Sequence, residues 1–397
     1  MKLLFINGGS RVRISNNGKY YTDSNFNQSI WDRYISYCDE LTVVLRKINN
    51  IFNDDDIKEK FNQIDVNKLN LKLVDDIYTP RRLNINKRRN IDKIIEEEVK
   101  NADKVIIRSY GNFYTNTALK YCKKHNKDYM IEITGFYFDN LWYHSLFGKI
   151  VALPRELSVK KAVKSAKYVS YVTEEALQKR YKCDGNILGC SDVEIGNLDD
   201  NVLQKRLEKI NSMKDIKKDK IIIGTAAFLD VKYKGQQGIL KALNKLKKEG
   251  INNLEYQLIG SGSGKLLKKS IKKYGLEENV KIIGSKSHRE VFEWLDSIDI
   301  YVHPSYTEGL CRSIVEAMSR GCLVICSDVG GNYELIDRKY LYSKKNIKQF
   351  ICIIKSVDKE QLIEQSKKNF EKAKKFQKDK LDAKRDDFYK MFISDKE

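Results

Sequence analysis

At 397 residues the chain is longer than one hydrophobic core organises, so two domains are expected. Its hydrophobic fraction of 41% and aromatic fraction of 10% are those of an ordinary globular protein and exclude low-complexity disorder. Lys and Arg total 74 against 54 acidic residues, a formal charge of +20 that attracts nucleic acid, anionic lipid or nucleotide-sugar alike without choosing among them.

The chain opens on a short buried strand, Leu3 to Ile6, ending in a turn at Asn7-Gly8-Gly9-Ser10, with a second strand at Leu41 to Leu45. Further apolar runs follow at Lys104–Ile107, Tyr129–Ile133 and Tyr168–Val172, separated by helical patterns. This alternation predicts βαβ units on a parallel sheet and a first Rossmann-like domain over residues 1–195. The opening apolar run is too short for a signal peptide, and no segment has the length needed to span a bilayer. Residues 199–220 are highly charged, with Leu203, Leu207 and Ile210 at helical spacing, and are expected to bridge the domains.

A second strand-first unit, residues 196–375, carries apolar runs at Ile221–Gly224, Tyr256–Gly260, Val280–Gly284, Ile298–Val302 and Leu323–Cys326. Five parallel strands are expected, and open sheets of this kind bind ligands at their carboxyl ends. Gly260-Ser261-Gly262-Ser263-Gly264-Lys265 looks like a phosphate loop but fails as one, because Ile259 and Leu266 stand where a Walker A motif needs Gly and a hydroxyl. A structural role is expected for it. The last helix, from about Leu362 to Ile393, mixes charge with apolar residues. Eight scattered cysteines without a Cys-x2-Cys pair predict reduced thiols in a cytosolic protein, with Cys322 and Cys326 in the core.

The most informative stretch runs from Glu308 to Glu316, Glu-Gly-Leu-Cys-Arg-Ser-Ile-Val-Glu, and continues through Ala317-Met318 to Gly330-Gly331-Asn332-Tyr333-Glu334. It reads as loop, helix, buried strand and glycine turn. A helix starting near Ser313 aims its free N–H groups and positive dipole end at the loop, which favours phosphate. Glu316, about one turn in, is placed to accept hydroxyls of a ribose, while Glu308 on the loop is free to reach a second polyol.

This ordered pattern resembles the donor site of retaining GT-B glycosyltransferases, specifically glycosyltransferase family 4. The resemblance is sharp over residues 221–336 and looser before them. It implies an α/β fold of two Rossmann-like domains facing a cleft, with residues 376–397 crossing back onto the first domain. Phe388, Tyr389, Met391 and Phe392 suit that docking. It also implies transfer of a sugar from a nucleotide-diphosphate donor to a saccharide or lipid-linked acceptor.

Within that implied site, Lys234, in the Lys-Gly pair after the strand at Ile221, takes the donor diphosphate as a catalytic group. Glu308 holds the donor sugar and Glu316 the ribose, assisted by Gly309, Leu310, Cys311, Arg312 and Ser313, with Gly8-Gly9 approaching from the opposite domain. Acceptor-side residues are expected in the aromatic stretch from Gly135, with Asp139 and His144 as candidates. Two departures stand out: Thr225-Ala226 replaces a usual arginine, leaving Lys232 or Arg312 to supply the second positive charge, and Cys311 stands where many relatives have Gly.

No cofactor and no metal are expected. Asp54-Asp55-Asp56 imitates the Asp-x-Asp of GT-A enzymes but has no adjacent strand, and His125, His144, His288 and His303 are dispersed. The excess charge suggests a peripheral enzyme at the inner face of an anionic membrane, with Arg81-Arg82, Lys87-Arg88-Arg89 and Lys160-Lys161 with Lys164 as contacts. A nucleotide-sugar epimerase or hydrolase on the same fold is the alternative. A basic nucleic-acid-binding protein is a remote one, without a zinc-finger, RNA-recognition or helix-turn-helix signature.

Overall fold

The computed structural model describes residues 1–22, 26–78, 84–193 and 195–395. Two sheets organise it. The first contains β1 (Lys2–Ser15), β2 (Tyr20–Thr22), β3 (Glu40–Phe52), β4 (Asn62–Gln63), β5 (Asn70–Asp75), β6 (Lys104–Arg108), β7 (Asp128–Ile133), β8 (Tyr168–Tyr171) and β9 (Asn186–Gly189). Its parallel body runs β5-β3-β1-β6-β7-β8-β9, and β2 and β4 are added antiparallel beside the far half of β1. The second sheet contains β10 (Ile221–Ala226), β11 (Leu254–Ile259), β12 (Val280–Gly284), β13 (Ile300–His303), β14 (Leu323–Ser327) and β15 (Leu341–Tyr342), in the order β12-β11-β10-β13-β14-β15, all parallel.

Three expectations need correcting here. The first strand does not turn at Gly8-Gly9 but continues to Ser15, because Asn7 Oδ1 accepts the N–H groups of Gly9 (2.5 Å) and Ser10 (3.2 Å) and converts the would-be turn into an irregularity. The pairing of β1 with β3 slips there, between Ile6 and Arg11. A β-carbon at Gly8 would lie 2.0 Å from Asn112 Oδ1, so this glycine serves a close approach. The first sheet is therefore mixed, and the second has a sixth strand too short to show as an apolar run.

The charged stretch 199–220 is not a free bridge. Its helix Asp200–Ser212 buries Ile210 in the second core and sinks Arg206, whose guanidinium donates to the carbonyls of Arg320 (3.0 Å), Ile298 (2.5 Å) and Leu295 (2.6 Å). Three acceptors satisfy a charge that would otherwise be costly to bury.

The C-terminal region is likewise two helices rather than one. Lys359–Ala373 ends in a tight turn, and Lys378–Ser394 starts after Gln377 in extended backbone. At that junction Ile195 N–H donates to Phe376 O (3.2 Å) and Lys378 N–H to Ile195 O (3.1 Å). The last helix then buries Leu381, Phe388, Tyr389 and Phe392 beside Leu3, Phe5 and Trp31 of the first domain, and Tyr389 donates to the buried Glu132. Met391 is 48% exposed instead, since it falls beyond the edge of the face that carries Leu381, Phe388 and Phe392. Among the described residues no helix is long and apolar enough to cross a membrane.

Candidate functional site

The site is built where β13 delivers its last residue, His303, to a loop that leads into helix Arg312–Ser319. Two glycines with positive φ clamp this loop. Gly235 (φ 77°) sits where a β-carbon would come within 1.9 Å of Pro304 O, and Gly330 (φ 56°) where one would come within 2.0 Å of Glu308 O. No side chain fits either place. Gly331 N–H donates to Gly309 O at 2.8 Å, fixing the loop from the β14 side. The loop also meets the other domain: a β-carbon at Gly309 would stand 2.5 Å from Thr134 O, and Thr307 Oγ1 donates to Asn140 Oδ1 (3.2 Å).

At its centre Glu308 Oε1 accepts from Lys234 Nζ (2.7 Å) and His303 Nε2 (2.9 Å). The sulfur of Cys311 lies 3.3 Å from His303 Nε2 and 3.3 Å from Ser313 Oγ. Burial pushes the Glu308 carboxyl up, but the Lys234 ammonium and the His303 hydrogen bond outweigh it and hold the group well below the ordinary carboxylate range. Burial works the opposite way on His303, depressing it; the Cys311 sulfur and the Glu308 carboxylate overcome this and raise it to about 9. The result is a dense cationic pair gripping one buried carboxylate, with a further positive pole from the helix start, where Cys311 supplies no side-chain cap.

Glu316 lies on the first helical turns, and its carboxylate faces His288 Nε2 at 3.8 Å, a contact that raises the His288 pKa. Arg312 and Lys232 are both exposed. The structure therefore brings Lys234, Glu308, Cys311 and Ser313 into one cluster and sets Glu316 on the helix beside it. The reading of the histidines as dispersed is wrong for His303, which is 2% exposed in the middle of the cluster. Its signal was available: the last residue of a buried strand, five positions before Glu308.

Asp139 pairs with Arg180 (3.5 Å), and His144 is exposed at the end of helix Tyr137–His144. The described contacts with the donor loop come from their neighbours, Asn140 and Tyr143, whose ring lies 5.8 Å from that of Tyr306. The glycine loop at 260–264 spends its N–H groups on a carboxylate of the chain itself, Asp230, through Ser263 (2.7 Å) and Gly264 (2.9 Å). Asp54 accepts from Tyr21 (2.7 Å) at the start of a short helix and is structural. Arg81-Arg82 lie outside the described residues.

One function of the motif was missed altogether. Glu334, the acid after the Gly-Gly turn, reaches across to the first domain and accepts the backbone N–H groups of Glu174 (2.7 Å), Glu175 (3.1 Å) and Ala176 (2.6 Å). The carboxylate thus caps the start of helix Ala176–Arg180 from the opposite domain.

Among the described residues, His303, Glu308 and Cys311 form the one group with ligand atoms close enough for a metal ion, all within 4.8 Å of one another. The Lys234 ammonium already supplies positive charge to the same Glu308 oxygen.

Two α/β domains with parallel-bodied sheets, facing each other across a loop clamped by glycines and carrying a lysine–glutamate pair, define a GT-B glycosyltransferase fold. The similarities agree. Residues 207–377 match the family Glycosyl transferases group 1. Protein CapJ of Staphylococcus aureus is 34% identical over 357 residues, covering 89% of this chain and 85% of that protein. The chain belongs to the group 1 glycosyltransferases. Capsular polysaccharide biosynthesis glycosyltransferase CapH of Staphylococcus aureus is 30% identical over 105 residues, 26% of this chain and 29% of its own. The crystal structure of HepE from Anabaena in complex with UDP superposes with a TM-score of 0.64 at 15% identity, covering 98% of this chain and 99% of that one.

Proposed function

We propose that this glycosyltransferase moves a sugar from a nucleotide-diphosphate donor to an acceptor hydroxyl with retention of anomeric configuration, in the assembly of a bacterial surface polysaccharide. The observation that carries the reading is the Lys234–Glu308–His303 cluster beneath a loop that contacts both domains. Lys234 meets the charge that grows on the departing diphosphate, and the N–H groups at Leu310 to Ser313 share it. Glu308, kept ionised by its two partners, accepts hydroxyls of the donor sugar, and Glu316 those of the ribose. The acceptor proton passes to the donor's own phosphate oxygen on the face the diphosphate leaves. The UDP in the HepE structure supports a uridine diphosphate as leaving group, and the name of CapH, a capsular polysaccharide biosynthesis glycosyltransferase, supports a saccharide acceptor.

In this reading Lys234 supplies the positive charge at the diphosphate, so excess EDTA should leave transfer nearly unchanged. A thermal-shift series over nucleoside diphosphates identifies the base, since bound ligand raises stability by mass action. Turnover of the donor without any acceptor product would favour a hydrolase or epimerase. Loss of all activity in EDTA, restored by Mn²⁺, would overturn the metal-independent mechanism.

A further inference from the structure

Helix Leu146–Lys164 of the first domain is built inside out on one face. Its inner side buries Gly148, Ala152, Val159, Ala162 and Val163. Its outer side exposes Leu146 (81%), Ile150 (75%), Leu153 (58%) and Leu157 (58%). These four stand at i, i+4, i+7 and i+11, a single line along the helix. Scattered exposed leucines need no explanation, but a contiguous stripe of this length does. The same line continues, one and two turns on, into Lys160, Lys161 and Lys164, so apolar surface gives way to positive charge along one face. Trp142 and Phe138, stacked at 5.3 Å, flank the apolar end, with Lys149 Nζ 5.4 Å from the Trp142 ring.

Beside this face lies a cavity of about 610 Å³ that the helix walls with Phe147, Val151 and Arg155. Arg88 and Lys120 complete a set of three cations in it, against one carboxylate, Asp92. Arg88 Nε is buried with no hydrogen-bond partner among the described residues, and its guanidinium sits 4.8 Å from the Phe113 ring.

We infer that this face docks onto an anionic lipid bilayer, the apolar stripe entering the leaflet and the lysines and the cationic cavity meeting phosphate headgroups. The chemistry fits no other surface as well: an apolar line flanked by aromatic rings suits the interfacial zone, where ring and lysine stem are both at home. Positive charge beside it adds attraction to an anionic leaflet. A protein partner would be expected to cover the stripe with complementary carboxylates, and a second copy would set its own lysines against these. The inference deepens the proposed function by placing a lipid-linked acceptor at the first domain, but it is tested without turnover, so its failure and that of the transferase reading are distinguishable.

The test is flotation of the full chain with vesicles of phosphatidylglycerol and phosphatidylcholine, and with phosphatidylcholine alone. The expected result is retention on the anionic vesicles, weakening as salt rises. Ile150→Glu with Leu153→Glu should lower partition about tenfold or more, because each replaces an apolar side chain that enters the leaflet with a charge of the same sign as the lipid. Both positions are exposed, so folding should survive, checked by the same thermal transition. Lys160→Glu with Lys164→Glu should also weaken binding and flatten its salt dependence. Equal flotation of the Ile150/Leu153 variant and the parent would overturn the inference. So would a parent that fails to float at low salt but sediments as a dimer dispersed by the same double substitution.

Discussion

The donor loop around Glu308 and the helix around Ile150 solve opposite problems. At the loop, charge is buried and every member of the cluster has a partner: Lys234 and His303 on Glu308, Cys311 between His303 and Ser313. On the helix, apolar side chains are exposed along one line. A buried ion pair is organised by partners inside the chain, because water is not there to solvate it. An exposed apolar line has no partner within the chain, so what organises it lies outside. The loop therefore reads as a site completed by its own fold, ready for a small anionic ligand, and the helix as one half of an interface.

The largest effect expected from breaking this contrast is at Lys234. Lys234→Ala removes the ammonium from a carboxylate that stays buried, and should lower the single-turnover rate roughly 10²-fold if Lys234 stabilises developing charge. Glu316→Ala should instead weaken donor affinity with a smaller change in rate, since a ribose does not alter during transfer. Parental turnover by a folded Lys234→Ala would hand the leaving-group role to another residue, and Arg312 at the helix start is the first to examine. Vesicle flotation should be unchanged in both variants.

A smaller effect is expected at a contact joining the two domains. Glu334→Gln keeps the shape of the side chain that caps Glu174, Glu175 and Ala176 but removes its charge. Charge-assisted bonds to backbone exceed neutral ones, and this one is partly exposed, so a loss of about 1 kcal/mol in the domain contact is expected. It should show as a larger radius of gyration in solution scattering and a higher donor KM. An unchanged radius together with an unchanged KM would mean that Glu334 does not hold the domains.

How much of this was legible in sequence follows the same divide. Five of the six strands of the second sheet were readable because each shows as a mainly apolar run, β15 being too short to do so, and Lys234, Glu308 and Glu316 sat in an ordered motif. Glu334 was not readable, since it meets another domain, whereas His303 was, as the last residue of a buried strand five positions before Glu308. The Gly8-Gly9 turn misled because two glycines usually end a strand, and here the Asn7 side chain lets the strand run on. The stripe on helix Leu146–Lys164 has a helical period, but period alone says which residues share a face, not whether that face points inward. Leu203, Leu207 and Ile210 gave the same signal, and of these Ile210 is core.

The finest test of the comparison is pH, which acts on the buried cluster and leaves the apolar stripe untouched. His303 is raised to about 9 in the folded chain against about 6.5 when free, so its proton favours folding. That contribution is fully present below about pH 6.5 and is lost as pH rises through about 9. Glu308 has the opposite sign: held below its ordinary value, it stabilises at all pH above the usual carboxylate range and loses that contribution only as pH falls below it. Between pH 6.5 and 9, then, only the histidine side of the pair should move. Its full effect is reduced because Lys234 already neutralises Glu308, and about 1 kcal/mol is expected, or about 2–4 °C in Tm for a domain of this size. Thermal unfolding of the parent should decline by that much from pH 6.5 to pH 9, and His303→Gln, which keeps a donor but cannot titrate, should flatten the decline. A variant that follows the parental slope would show that the titrating group lies elsewhere, and that His303 is held neutral between Glu308 and Cys311.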